Sequence, residues 1–397
     1  MADRHPVFIN GAGIAGLTLA LALARRGIAS VVVERAGELA EVGAGIQISP
    51  NAAHVLVSLG LGAAIGRWAV RPEAVAIRSG GDGRLLARLP LGRQAAARFG
   101  APYWTLLRAD LQQALLAAVA AEPAVTLRLG ASVTTVADDG PAMTVHWRDA
   151  AGDHADAAAL LVGADGVWSD VRVRLVGGPP AAYSGRVAFR ATIPMSDSGL
   201  AAALEPATAT GLWLGTAAHF VHYPVHAGDR LNLVALVDDA WTATRWNTEA
   251  TGYDIAPHFS GWAEPIRRLI AAPDTWRKWA LCAVDPAGPW SKGRVVLIGD
   301  AAHAMLPFAA QGGAMAIEDA AVLARHVAAE ADPTRAIAAY VAARRGRASR
   351  VAALARRNAA IYHLDGIAAR GRDLGMRLVG GRPLAASVDW IYRWRDG

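Results

Sequence analysis

A charge-free run over residues 6–24, PVFINGAGIAGLTLALALA, sets glycines at 11, 13 and 16 directly behind a short apolar stretch. Such a run can serve as a secretory leader, but Asp3 and Arg4 give it a mixed flank, and three glycines weaken a membrane helix. The pattern divides instead into a strand at Val7 to Ile9, a glycine turn, a helix over about 14–26 and a strand at Ser30 to Val33. That is the opening of a βαβ unit. In it Gly11 permits the tight turn, Gly13 lets a pyrophosphate approach the backbone, and Gly16 lets helix and strand pack closely; Ala15, inside the same turn, is a further candidate contact. Amides at the helix start favour the phosphates. Glu34 ends the second strand eighteen residues past Gly16, where a carboxylate accepts hydrogen bonds from an adenosine ribose. The motif specifies a dinucleotide without separating FAD from NAD, and Arg35 beside Glu34 leaves NADP open.

With 397 residues, 53% of them hydrophobic, the chain is large enough for two domains. Cys282 is the single cysteine, which rules out an intramolecular disulfide and a cysteine-built metal site and makes a reducing cytoplasm the expected compartment; no metal is expected. No other uncharged stretch reaches the roughly 20 residues of a membrane span, so a soluble protein without a membrane partner is expected. The net charge of +6 comes from arginines spread along the chain, with a run only at Arg344, Arg345, Arg347 and Arg350. Nucleic acid, which selects basic side chains on one face, is therefore not an expected partner.

Two further clusters follow strands. Leu160-Leu161-Val162-Gly163-Ala164-Asp165-Gly166 carries an apolar strand into a turn, and Ser169 and Arg172 sit in the short helix beyond it. Val295 to Ile298 delivers Gly299 and Asp300, then His303, Pro307 and Gln311-Gly312-Gly313, which opens a helix bearing Glu318 and Asp319. In an open α/β sheet, ligands bind at such carboxyl ends of strands. Between about 181 and 284 the pattern changes to short alternating runs, Arg186 to Ile193, Gly211 to Leu214, His219 to Pro224 and Leu231 to Val237, which predict an antiparallel sheet. Leu85 to Leu91 belongs with them. Beyond 330 the chain has helical spacing, and its aromatic end (Trp390, Tyr392, Trp394) is expected to pack back on the body.

In order and spacing, these three elements resemble the class A flavoprotein monooxygenases, the FAD-dependent aromatic hydroxylases that include salicylate and 3-hydroxybenzoate hydroxylases. The resemblance reaches to about residue 330. It implies an α/β fold (α+β overall): a Rossmann-like FAD-binding domain over 1–180 and 285–330, an inserted, mostly antiparallel substrate domain over 181–284 with strands from about 73–100, and C-terminal helices over 331–397. It implies that Glu34 holds the FAD ribose, that Arg108 and Gln112 help bind the cofactor, and that Asp165 and Gly166 stand near both cofactors. It further implies that Asp300, after Gly299, bonds the ribityl chain, that the segment Gly43 to Asn51 with Gly45 flanks the flavin, and that Pro307 belongs to the cofactor loop. The amides of Gly312 and Gly313 suit the anionic edge of a reduced flavin. Arg35, Arg108 and Arg172 are the arginines expected near anionic cofactors, although Arg108 can also be a surface residue.

The implied activity uses NADH or NADPH and O2 to hydroxylate a small electron-rich aromatic ring through a flavin C4a-hydroperoxide. No second G-x-G-x-x-G follows a strand, so NAD(P)H is expected as a transient co-substrate, and the protein as a monomer or homodimer. A phenol ionises near pH 10, as tyrosine does, and its phenolate is the more reactive form, so the site needs a proton acceptor. His219 and Tyr223, four apart on a strand, share one face. They resemble the substrate-binding histidine and tyrosine of 3-hydroxybenzoate-hydroxylating members, as Gln311 resembles their active-site glutamine. A structural histidine on a half-buried strand is the competing reading of His219. His222 is expected on the opposite face, His303 in support of the flavin loop, and Arg186 and Arg190 either on a substrate carboxylate or in solvent. The alternatives are the same chemistry on an N-heteroaromatic or purine ring such as hydroxynicotinate or urate, another tailoring substrate, or a non-catalytic flavin-binding sensor.

Overall fold

A computed structural model describes residues 5–39, 44–138, 140, 142–197, 209–243 and 245–396. Asp3, Arg4 and Gly43, named above, lie outside the described residues. The glycine motif does what its spacing predicts: strand Val7–Asn10 turns into helix Ile14–Ala24 and returns as strand Ser30–Glu34. Val7–Asn10 sits in the middle of a six-stranded sheet, flanked by Leu160–Gly163 and then Val295–Leu297 on one side, and by Ser30–Glu34 and then Val125–Leu129 on the other. These five strands are parallel, and Ser291–Lys292 closes one edge antiparallel. Parallel strands are covered on both faces. Leu160, Leu161, Val162, Val295, Val296 and Leu297 are accordingly all buried, beneath helices that include Ile14–Ala24 and Gly312–Ala329.

The alternating runs form the expected second sheet, which has eight strands. Its spatial order is Asn247–Ala250, Trp276–Ala283, Ala182–Pro194, Arg230–Asp238, Ala218–Val225, Ala209–Gly215, Ala74–Ser79 and Leu85–Pro90. All pairings are antiparallel except Ala209–Gly215 with Ala74–Ser79, where the strands contributed from the earlier segment join. Alternation gives this sheet two faces. One, with Trp213, Phe220 and Leu233, is covered by Phe259, Trp262 and Ile266. The other presents Leu212, Leu214, His219 and Val221 toward Phe308 and Tyr362.

His222 points the opposite way to His219, as expected, and Trp213 Nε1 donates to its Nε2 at 3.1 Å. Burial depresses His222 to about 4, with Arg78 adding to the effect. The folded protein refuses a proton that the unfolded chain accepts near pH 6.5, so this stabilisation is complete above that pH and is lost as pH falls toward 4. Urea unfolding at pH 4.5 should show about 2–3 kcal/mol less stability from this residue than at pH 7. His222→Gln keeps the acceptor for Trp213 and should remove that part of the pH dependence; an unchanged acid limb would refute the assignment.

After the second sheet the chain is helical, with Pro333–Tyr362 running for 30 residues before Gly366–Val379, Gly381–Ala386 and Asp389–Tyr392. The arginine run lies on the long helix, with Arg344 buried, Arg345 and Arg347 half-buried and Arg350 exposed, each against an aromatic ring. Arg350 stacks on Trp390 with Cζ 3.9 Å from the ring centroid, and Arg344 and Arg347 lie over Trp394. These contacts dock the aromatic end. Among the described residues no helix is long and apolar enough to cross a membrane.

Candidate active site

An open cleft runs along the carboxyl ends of the parallel strands, lined by Gly11, Gly13, Ala15, Glu34, Arg35, Arg108, Asp165, Gly166, Asp300, Gly312 and Gly313. Eleven of the residues named above as cofactor contacts thus share one cavity. Each glycine answers to a separate constraint. Gly11 has φ +116°, and a Cβ there would sit 2.4 Å from the Ala164 carbonyl oxygen. A Cβ on Gly16 would meet the Gly11 oxygen at 1.9 Å, so Gly16 does not line the cleft but lets helix and turn touch. Gly13 has open space where a side chain would stand, leaving the backbone exposed to a ligand.

Glu34 accepts hydrogen bonds from the amides of Ala12 and Ala36, both at 3.0 Å, which aims its carboxylate at the cleft from a fixed position. Gln112 works from behind: its Nε2 donates to the Ala12 carbonyl at 3.3 Å, so both backbone polar groups of Ala12 are held by side chains. Gln112 therefore shapes the loop and is not a lining residue. Gly45 and Gly299 also shape the cleft without lining it. A Cβ on Gly45 would lie 2.7 Å from the Tyr223 ring, and Gly299, at φ +59°, brings the chain against Ala15 and Ala316.

Asp165 Oδ2 accepts from Val171 N at 3.1 Å and from Asn10 Nδ2 at 3.3 Å, while Oδ1 is buried with no partner. Burial raises its carboxyl, opposed by bonds from Ser169 and Val171. An unpaired buried acceptor at the end of a strand suits a ligand hydroxyl. Asn10, which the motif reading passed over, lines the cleft beside it. At the far end Asp300 opens a short helix, and Gly312 and Gly313 open the 18-residue helix Gly312–Ala329, so its free amides face the cavity. A carboxylate at one end, bare backbone and a helix start in the middle, and a second helix start at the other end fit FAD: ribose, pyrophosphate and isoalloxazine in turn. Glu34→Gln weakens one charge-assisted contact worth about 1.5–3 kcal/mol, so FAD should bind roughly 10- to 100-fold more weakly in fluorescence titrations. Unchanged affinity would take Glu34 out of the ribose site.

Arg172 does not reach the cleft. Its guanidinium donates to the carbonyls of Pro179, Ala301 and Val167 at 2.7–2.9 Å, which uses it to tie three loops together.

A second cavity of about 160 Å³ adjoins the first. The two meet at strand Gly45–Ile48, where Ile46 lines one and Gln47 the other, and at the start of helix Gly312–Ala329, where Gln311 lines the second and Gly312 the first. Pro307 belongs to this second cavity. Its polar lining is Gln47, Tyr103, Thr210, His219, Gln311 and Asn358, and the C-terminal helices close it with Tyr362, Ile391 and Tyr392. Tyr103 and Asn358 carried no motif; Gln47 lies in the segment expected beside the flavin and Tyr392 in the aromatic end expected to pack back, but neither was read as lining a substrate cavity.

His219 is buried here among Phe308, Tyr362 and His363, and its Nδ1 lies 2.9 Å from His363 Nε2. Burial, with help from His363 and Arg186, holds it well below the usual histidine range. Tyr223, expected beside it, is set back behind Gly45, and its route to the cavity is through Gln47, which also accepts from Tyr103 Oη at 2.7 Å. Arg186 and Arg190 are not lining residues: Arg186 pairs with Asp238 at 2.8 Å, and Arg190 lies over Trp279.

Gln311 is held from below. It exchanges hydrogen bonds with Ser49, and Asn51 reaches both Gln311 and Glu318, the latter at 2.6 Å. Arg344 then bridges Glu318 at 2.5 Å and Asp319 at 2.7 Å, and Asp319 holds His303 at 2.5 Å and the amide of Gly299 at 2.9 Å. Burial acts to raise Asp319, but His303 and Arg344 outweigh it and hold it at about 2. One buried network thus supports the floor of both cavities, and His303 sits in it, as the loop-supporting reading expects.

The FAD binding domain family matches residues 4–355. The chain is 36% identical over 395 residues to 3-hydroxybenzoate 6-hydroxylase 1 of Aquipseudomonas alcaligenes, covering 99% of this chain and 98% of that one. It is 37% identical over 401 residues to a 3-amino-4-hydroxybenzoate 2-monooxygenase of Streptomyces platensis, covering 98% and 96%. Among solved structures, HpxO of Klebsiella pneumoniae in complex with FAD and uric acid superposes with a TM-score of 0.86 at 26% identity, over 98% of this chain and 96% of that one.

Proposed function

The chain belongs to the FAD-dependent aromatic monooxygenases of the FAD binding domain family, and from that premise we propose that it hydroxylates a single-ring hydroxybenzoate using a nicotinamide cofactor and O2. The observation that carries this reading is the 160 Å³ cavity against the flavin end of the cleft, with His219 in its wall. A cavity of about 150 Å³ holds one benzene ring. Bound FAD supplies the reduction of O2 and the transfer of one oxygen atom to the ring.

The chain's own residues meet the remaining requirements. Three lining tyrosines are pushed up by burial, Tyr362 to about 12 and Tyr103 and Tyr392 likewise upward, so they stay protonated and serve as donors. His219 is pushed the other way and stays neutral, so it is the lining ring that offers a lone pair to a phenolic hydroxyl, while burial disfavours leaving a charge on it. Gln311, fixed by Ser49 and Asn51, can orient the ring or its hydroxyl. A substrate carboxylate would meet neutral donors here, Thr210 and Tyr392 among them, since among the described residues no arginine lines the cavity. The two benzoate-acting relatives differ in the carbon they attack, so they support the ring class and leave position to the details of this wall.

The test is direct. Purified protein should be yellow, and NADH or NADPH oxidation should be stimulated by hydroxybenzoates with matching hydroxylated product. Stimulation by urate or hydroxynicotinate alone would replace the hydroxybenzoate with a heteroaromatic ring, and a colourless protein that cannot take up FAD would defeat both.

A further inference from the structure

His219 does not end in the cavity wall. Behind it, His363 Nε2 lies 2.9 Å from His219 Nδ1, and His363 Nδ1 lies 2.9 Å from Asp238 Oδ1. The two histidine side chains are nearly sealed from water, whereas the Asp238 side chain is 40% exposed. We propose that His219, His363 and Asp238 form a proton relay that carries the phenolic proton of a bound substrate from the buried cavity to solvent. The proposal rests on the phenol-hydroxylating reading above.

The hydrogen-bond roles follow from the outer end inward. A carboxylate can only accept, so His363 must donate to Asp238 through Nδ1–H. A neutral His363 then has its lone pair on Nε2 and must accept there, so His219 donates through Nδ1–H. Its own lone pair is left on Nε2. Asp238 thus dictates, through two rings, that the inner histidine offers an acceptor. Charge around the chain is consistent with neutral rings: Arg186 pairs with Asp238 and lies near His219, Arg372 faces His363, and Tyr362 packs on His219.

Transfer balances at each link. The substrate O–H bond breaks and leaves its electron pair on oxygen, while an N–H bond forms at His219 Nε2. The His219 Nδ1–H bond breaks as His363 Nε2 gains a proton, and the His363 Nδ1–H bond breaks as Asp238 takes the proton and passes it to water. Both rings end as neutral imidazoles of the opposite tautomer, and reverse transfer when the product oxygen is reprotonated resets them. No charge is left in the apolar wall, which is the reason to use a relay in place of a single buried base.

His363 and Asp238 are positioning residues, and amides in their place separate position from transfer. His363→Gln still offers an acceptor to His219, and Asp238→Asn still offers one to His363, but neither passes a proton on. Holoenzyme is mixed with 3-hydroxybenzoate in weakly buffered phenol red, and proton release is followed by stopped flow. Both variants should slow release roughly tenfold or more and enlarge its solvent isotope effect, while FAD content and KM for 3-hydroxybenzoate stay within about threefold of wild type. Release at the wild-type rate in both variants overturns the relay. Nitrogen-15 NMR of the wild-type histidines gives an independent reading: both rings should carry the proton on Nδ1, and a proton on His219 Nε2 overturns the proposal. If wild type itself neither binds nor turns over 3-hydroxybenzoate, the substrate reading is what fails, and the tautomers decide the relay.

Discussion

Replacing Arg344 with methionine is expected to destabilise the protein by about 3–5 kcal/mol, the cost of breaking a buried ion pair from one side. Arg344, Glu318 and Asp319 are all essentially inaccessible to solvent. Glu318 retains Arg347 at 2.7 Å, so Asp319 is the carboxylate left without an arginine, holding His303 and the Gly299 amide. Methionine fills the volume without replacing either bond. In thermal unfolding this corresponds to a fall in Tm of about 10 °C. The deficit should narrow as the pH is lowered from 7 to 5, because carboxyls that have lost their cation take up protons that native Asp319, held at about 2, does not. Because the same network ends on Gln311 and on the amide of Gly299, coupling of NAD(P)H oxidation to hydroxylation should suffer in whatever protein remains folded. A variant as stable as wild type would show that the pair is dispensable, as some buried ion pairs are.

What was legible in the sequence follows a physical division. Gly11 and Gly16 announce themselves because Gly11 has a positive φ and a Cβ on Gly16 is forbidden by Gly11 itself, both local constraints, and Glu34 follows at a distance set by one helix and one strand. Strands such as Leu231 to Val237 show because nearly the whole run is apolar and buried, whereas Trp276–Ala283 mixes charged and apolar residues without clean alternation and carries no such signal. The arginine run is instructive. It was legible as a cluster but not as a buried one: Arg344 is fully buried and finds its partners at Glu318 and Asp319, on a helix the chain reaches only through folding. The same holds for the second cavity. His363 meets His219 across 144 residues, and Tyr103 meets Gln47 across 56, so no local period could have joined them. Tyr223 illustrates the limit of a face argument: it shares the face of His219, yet strand Gly45–Ile48 lies in front of it.

His219→Ala is expected to lower the rate of hydroxylation by about 10²–10⁴, the usual contribution of a positioned proton acceptor, while FAD remains bound because the residue lies outside the cofactor cleft. Flavin reduction by NAD(P)H need not slow, so the lost product should reappear as peroxide. The pH profile discriminates this from a simple packing defect. In wild type the acceptor is buried and depressed, so it is protonated only well below 6.5, and hydroxylation should hold steady through neutrality before failing in acid. Without His219 the ring must ionise unaided, and the rising limb should move toward the roughly pH 10 of a free phenol. His219→Gln fills the space and offers one acceptor to the substrate, but it cannot take the proton. It should therefore restore KM without restoring the neutral-pH rate, with FAD bound as in the alanine variant. Recovery of that rate by glutamine, or an alanine variant whose pH profile is unmoved, would make His219 a wall residue and place the proton acceptor elsewhere.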